Sequence, residues 1–189
     1  VSYDTDLLAL ENIAGFVKKW AEFTVEHPKL RIEIRTKCAR TDLWKELPVC
    51  DRVIYAFTLS PEEITACYEH GTPTLAARVA SVKLAGKMGH PVRLCFDPMI
   101  YYPHYNEVFA QIDTDHIVDV SMGSFRISKD YLKNMRRHDV LSPVVQFPYE
   151  NIDGVYQYPD KLRQEMEGFL HKELCKYVEE EHIFCWDQI

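Results

Sequence analysis

The sequence predicts an α/β fold on a mostly parallel sheet, and three observations predict it. Two apolar, strand-like runs, residues 52–58 and 91–96, are joined by a crossover long enough to carry helices and return parallel, the mark of a βαβ unit. Strand-like and helix-like patterns alternate along most of the chain. Both strands of the unit run out into polar residues, Thr58 and Ser60 after the first and Asp97 after the second. In parallel α/β folds the loops at the carboxyl ends of the strands converge over one face of the sheet, and sites are built there.

Taken in order, Asp4, Thr5 or Asp6 can cap a first helix. In it Leu7, Leu10, Ile13, Phe16, Val17, Trp20 and Phe23 recur at helical spacing as one apolar stripe, ended by Pro28. Residues 30–36 alternate apolar and charged, as in a strand with one exposed face or one lining a polar interior. A short helix is expected over 41–47, before Pro48. The first helix of the βαβ unit opens at Ser60-Pro61-Glu62-Glu63, with a serine cap, proline at the first helical position and acids set favourably against the helix dipole. Glu69-His70-Gly71-Thr72 leads to the second: Gly71 supplies a turn with positive φ, and Thr72 caps the Ala-rich helix over 75–88 that closes at Gly89.

Beyond Asp97-Pro98 an aromatic loop, Tyr101-Tyr102-Pro103-His104-Tyr105, enters a helix over 106–112. A strand over 116–120 and a helix over 128–138 follow. A long closing helix over 160–180 carries Leu162, Met166, Phe169, Leu170, Leu174 and Tyr177 on one face, and 183–186 is a last edge strand. Four strands alternating with helices cannot close an eight-stranded barrel, so the chain forms an open sheet or part of a barrel. Neither a linker nor a repeat interrupts it, and residues 1–189 read as one domain.

A chain of 189 residues buries roughly 70% of its unfolded surface as one domain. Nothing resembles a signal peptide, and no apolar run approaches the ~20 residues needed to span a bilayer, so no membrane role is expected. None of the six cysteines forms a C-x2-C or C-x3-C pair, which leaves no zinc or iron–sulfur motif within the chain. Several lie in apolar segments as free thiols, which suits a reduced, cytoplasmic compartment. The net charge of −7 argues against indiscriminate nucleic-acid binding, though not against a local basic face. The abrupt start at Val1 reads as a processed or truncated product.

Several residues can carry chemistry. Lys37 ends the strand over 30–36, where a cation suits a carboxylate or phosphate ligand; the plainer reading is a solvated lysine. Thr58 and Ser60 can donate to a ligand, Ser60 being equally explained as a helix cap. Asp97, held extended by the proline after it, can meet a ribose, a base edge or a metal, or simply form a turn. His70 stands without a second histidine at dyad spacing. Lys129, Lys133, Arg136 and Arg137, with Arg126 before them, can grip phosphates along one helix face or form a solvated one.

At these residues the chain resembles the radical S-adenosylmethionine enzymes of the spore photoproduct lyase type. Phe57-Thr58-Leu59-Ser60, Glu69-His70-Gly71-Thr72 and Phe96-Asp97-Pro98-Met99-Ile100 follow that family in order and spacing. Arg35-Thr36-Lys37 upstream and Phe125-Arg126-Ile127-Ser128-Lys129 downstream extend the resemblance from Asp6 to the closing helix. It implies a partial (β/α)6 TIM-like barrel with the four strands here as its third to sixth. It further implies that Lys37, Thr58 and Ser60 contact S-adenosylmethionine, that the backbone around Asp97 lies near the adenine, and that Arg126 and Lys129 face a substrate, a DNA lesion among the candidates.

Two departures stand out. The family holds a [4Fe–4S] cluster on a C-x3-C-x2-C triplet that this sequence lacks; its place is expected before Val1, and the chain alone is expected to be inactive. The position of the family's hydrogen-donating cysteine, shortly before the Thr5-Asp6 pair, holds Tyr3. Two other readings stay open: a hydrolase or isomerase using Asp97 with His70 or His104, and a non-catalytic module binding a nucleotide or partner through the loop over 101–105.

Overall fold

The computed structural model describes residues 1, 5–101, 105–112 and 115–186. Its strands are β1 (Ile32–Thr36), β2 (Val53–Thr58), β3 (Val92–Met99), β4 (Ile117–Ser124), β5 (Arg126–Ser128), β6 (Glu150–Ile152), β7 (Val155–Gln157) and β8 (Ile183–Cys185). Five of them form one parallel sheet in the order β1-β2-β3-β4-β8, and the other three a small antiparallel sheet in the order β5-β7-β6. The larger sheet is open, with β1 at one edge and β8 at the other. The helices are α1 (Glu11–Ala14), α2 (Phe16–Glu26), α3 (Glu62–Tyr68), α4 (Leu75–Lys87), α5 (Asn106–Phe109), α6 (Lys129–His138) and α7 (Asp160–Leu174).

The two faces of the sheet differ in chemistry, and residue alternation makes the difference. Ile32 and Ile34 of β1, Val53, Tyr55 and Phe57 of β2, Val92, Leu94 and Phe96 of β3, and Val120 and Met122 of β4 all join the apolar core. Trp44, fully buried on that side, packs edge-on against Tyr55 and donates its indole N–H to Ser81 Oγ at 3.0 Å. The residues between them, Glu33, Arg35, Arg93, Asp97 and Asp119, carry charge on the opposite face. The alternation in β1 therefore marks a strand lining a polar interior.

The βαβ unit, the parallel sheet and the last edge strand match the expectation from sequence, with β8 adding a fifth strand to the four counted. Several elements differ. The first helix is broken at Gly15, which adopts a left-handed φ of 62°. Only part of its expected stripe is buried: Leu7 and Val17 are inside, whereas Ile13, Phe16 and Phe23 are exposed. The segment before Pro48 forms a single 3-10 turn, Leu43–Lys45. Thr74, not Thr72, caps α4 by accepting from Ala77 N–H. The closing helix ends at Leu174. The small sheet escaped the sequence reading although Asp153-Gly154 is a strong hairpin signal: both residues have positive φ, 51° and 87°, as a tight two-residue turn between β6 and β7 requires.

Candidate functional site

The site is assembled where the strands of the parallel sheet end. β1 is fixed there by Asp6, whose carboxylate accepts from the Thr36 hydroxyl at 2.9 Å and from Lys37 N–H at 2.8 Å. With its backbone held, Lys37 sends its ammonium to Glu69 Oε1 at 2.5 Å. The same oxygen accepts from Ser60 Oγ at 3.2 Å, and Oε2 accepts from Arg78 Nη2 at 2.5 Å. Arg78 is entirely buried and also donates to the Thr58 carbonyl (3.1 Å), the Pro73 carbonyl (3.0 Å) and Thr72 Oγ1 (2.6 Å). Glu69 is thus the hub that ties the end of β1 to the end of β2 and to α4. Burial pushes its carboxyl up, but the pairs with Lys37 and Arg78 outweigh burial and leave its pKa below the ordinary value.

This corrects two expectations. Ser60 does not cap α3; its hydroxyl points to Glu69, and Pro61 occupies the cap position. Lys37 is not a free, solvated lysine: its charge is matched by Glu69 and its side chain is about a third exposed. Glu69 itself was quoted from the sequence only as part of a turn. No short-range pattern reveals a carboxylate whose partners lie 32 residues upstream and 9 residues downstream.

Beneath the strand ends runs a ladder of ion pairs. Arg93 Nη1 meets Glu33 Oε2 at 2.5 Å, and its guanidinium forms a two-pronged pair with Asp119. The Asp119 bond, aided by Glu33, holds the Arg93 pKa above its ordinary value. Arg35 Nη1 donates to Asp97 Oδ2 at 3.2 Å. Among the described residues the Asp97 carboxylate therefore answers an arginine, while His70 is exposed on the turn after α3. A Cβ added at Gly123 would stand 3.5 Å from Asp97 Oδ1 and 3.6 Å from the Trp186 side chain, which places β4 and the start of the C-terminal segment against that carboxylate. Between the arginines, Cys95 is buried and accepts from Ser121 Oγ; burial pushes its thiol up to about 11.

An aromatic cluster stands beside this face. Tyr105 hydroxyl accepts from Ile100 N–H and Tyr158 hydroxyl from Tyr101 N–H, both at 2.9 Å, so the two buried tyrosines hold the backbone of Ile100 and Tyr101 just after β3. A cavity of about 240 Å³ opens among Tyr68, Tyr101, Pro143, Phe147 and Tyr158.

Of the residues singled out from sequence, Lys37 and Ser60 meet at Glu69, Thr58 joins them through Arg78, and Asp97 stands on the neighbouring strand end. Arg126 and Lys129 lie farther along, exposed on β5 and the first residue of α6. Arg136 does not belong to the expected basic face: it donates to the carbonyls of Val145 and Phe147 at 3.0 and 2.8 Å. Tyr3 and His104 lie outside the described residues. Among the described residues no group of three or more histidine, cysteine, aspartate or glutamate side chains is placed to hold a metal ion, and no helix is long and apolar enough to cross a membrane.

A scan against protein-family models finds no match, and a search of curated proteins finds none. Solved structures do match. A cysteine-to-alanine variant of spore photoproduct lyase superimposes with a TM-score of 0.82 at 14% identity, covering 98% of this chain and 59% of that one. The same kind of variant with dinucleoside spore photoproduct gives the same TM-score, identity and coverage. A double variant with bound AdoMet and dinucleoside spore photoproduct gives 0.77 at 15% identity, again over 98% and 59%. The chain thus spans 59% of the length of these lyases. Over nearly all of its own length its open parallel sheet and surrounding helices have the fold of that partial barrel.

Proposed function

We propose that this chain forms the S-adenosylmethionine-binding part of a radical enzyme related to spore photoproduct lyase. One observation carries the reading. Lys37, Thr58, Ser60 and Asp97 stand on adjoining strand ends, and the fold shared with a lyase solved with bound AdoMet supports reading their polar groups as suited to a methionine moiety and a nucleoside. The Lys37 ammonium, steadied by Glu69, attracts a carboxylate. The Ser60 hydroxyl and the strand-end backbone serve the rest of the amino-acid part, and the backbone around Asp97 borders the adenine. Arg126 and Lys129 serve the substrate side, and a lesion in nucleic acid is the substrate class, as in the lyases solved with dinucleoside spore photoproduct.

When bound and reductively cleaved, S-adenosylmethionine supplies a 5′-deoxyadenosyl radical. The residues of this chain bind and aim it; they do not supply the electron. The sequence has no C-x3-C-x2-C triplet, and the described residues offer no other place for a [4Fe–4S] cluster. By itself the chain is expected to bind the cofactor without turning it over, and Tyr3 stands as the candidate hydrogen donor. The hydrolase or isomerase reading draws less support, because among the described residues the recorded side-chain partner of the Asp97 carboxylate is Arg35.

Equilibrium dialysis with S-adenosylmethionine and S-adenosylhomocysteine tests the reading. Saturable binding of both, competing with each other and with no 5′-deoxyadenosine formed under reducing conditions, is the expected result. Failure of either to bind the folded chain would overturn it.

A further inference from the structure

We propose that the exposed cationic row of α6, Lys129, Lys133 and Arg137, is a docking strip for the phosphodiester backbone of a nucleic acid. The inference rests on the nucleic-acid substrate reading above and extends it to a surface outside the cofactor site. The three residues are spaced four apart, so they line one side of the helix with about 6 Å of rise between neighbours. All three are exposed, and none has a side-chain hydrogen bond or ion pair among the described residues.

The arginines of the sheet face differ, since Arg35, Arg78 and Arg93 are each engaged by carboxylates. The only acid in α6 is Asp130. The helix is also held firmly enough to present the row. Leu132 is buried beneath it, Arg136 is tied to the Val145 and Phe147 carbonyls, and Lys129 N–H donates to the Gly154 carbonyl of the hairpin at 3.1 Å. The row begins where β5 leaves the carboxyl end of β4, so a strand lying along it runs toward the strand-end face. Contacts of this kind position a nucleic acid without reading its sequence, and their contribution falls with salt.

The test is fluorescence anisotropy of the full chain with a labelled thymidine oligonucleotide between about 50 and 200 mM salt. The double variant Lys133→Glu with Arg137→Glu is compared with Lys45→Glu with Lys87→Glu, which makes the same change of net charge at exposed sites elsewhere. The first pair is expected to bind at least about tenfold more weakly and to flatten the log–log salt slope by about 1.4, roughly 0.7 for each phosphate no longer neutralised. The second pair is expected to stay close to wild type. Absence of binding, an equal loss in both pairs, or equal binding of polyglutamate would overturn the proposal. S-adenosylmethionine binding, measured on the same proteins, is expected to be unchanged by either pair; its absence from wild type would count against the cofactor reading and leave the result for α6 standing separately.

Discussion

The two faces of the parallel sheet make an instructive comparison. One is an apolar core in which Tyr55, Phe57, Leu94 and Phe96 lie almost wholly out of water. The other carries a ladder of ion pairs from Glu33 through Arg93 to Asp119, and from Arg35 to Asp97. Parallel sheets covered on both faces usually have strands that are apolar throughout. Here β2 keeps that character while β1 and β3 alternate, so one face carries the apolar core and the other carries charge. The difference teaches that the fold can be held from one side while the other is free to carry charge.

Substitutions on the two faces sharpen this contrast, beginning with the largest expected effect. Phe57→Ala, in the apolar face, is expected to cost about 4 kcal/mol of unfolding free energy by chemical denaturation. A cost near that of a surface substitution would break the comparison. Glu69→Gln, at the junction of the strand ends, strips the buried Arg78 of its counter-charge and is expected to cost about 3 kcal/mol.

The same residue gives a pH signature. Its folded pKa lies below the ordinary 4.5, so its contribution is present in full above about pH 4.5 and is lost as pH falls through the lowered folded value. Thermal melting from about pH 7 to about pH 3 should therefore narrow the gap between wild type and Glu69→Gln in acid. A gap that stays constant would show that the pairs with Lys37 and Arg78 do not stabilise the fold.

On the polar face, Arg93→Met takes the two-pronged partner from Asp119 and leaves Glu33 with Arg35 alone. Because these groups keep partial contact with water, the cost is expected to be about 1–2 kcal/mol, less than for Glu69→Gln. A loss as large as that of Phe57→Ala would mean that the ladder belongs to the core after all. The smallest stability effect is expected at Lys37→Ala, within about 1 kcal/mol of wild type, because the ammonium is a third exposed and Arg78 still neutralises Glu69.

Much of this was legible in the sequence, and the limits have physical causes. The βαβ unit, the polar strand ends and the final edge strand could be read because they depend on periodicity and on residues close in the chain. The alternation of Glu33 and Arg35 with Ile32 and Ile34 announced a strand with one polar face. What could not be read depends on distance in the chain. Lys37, Ser60 and Arg78 converge on Glu69 only after β1, β2 and α4 have been brought together. Asp6 reads as a helix cap and does accept from Ala9 N–H, but the same carboxylate also secures the end of β1, which the sequence did not announce. Gly15 lies inside the stripe expected to form one helix and breaks it through a left-handed φ, leaving part of that stripe in water. Arg136 matched the spacing of its basic neighbours, and only the fold turned it toward the Val145 and Phe147 carbonyls.

The most direct test of the central claim is calorimetric titration of S-adenosylmethionine into the wild-type chain and into Lys37→Ala. One-site binding to wild type, lost or weakened at least about tenfold in a variant whose thermal midpoint falls by no more than about 4 °C, is the predicted result. No heat of binding to the folded wild type, or equal affinity in both proteins, would contradict the assignment of the strand-end face to this cofactor.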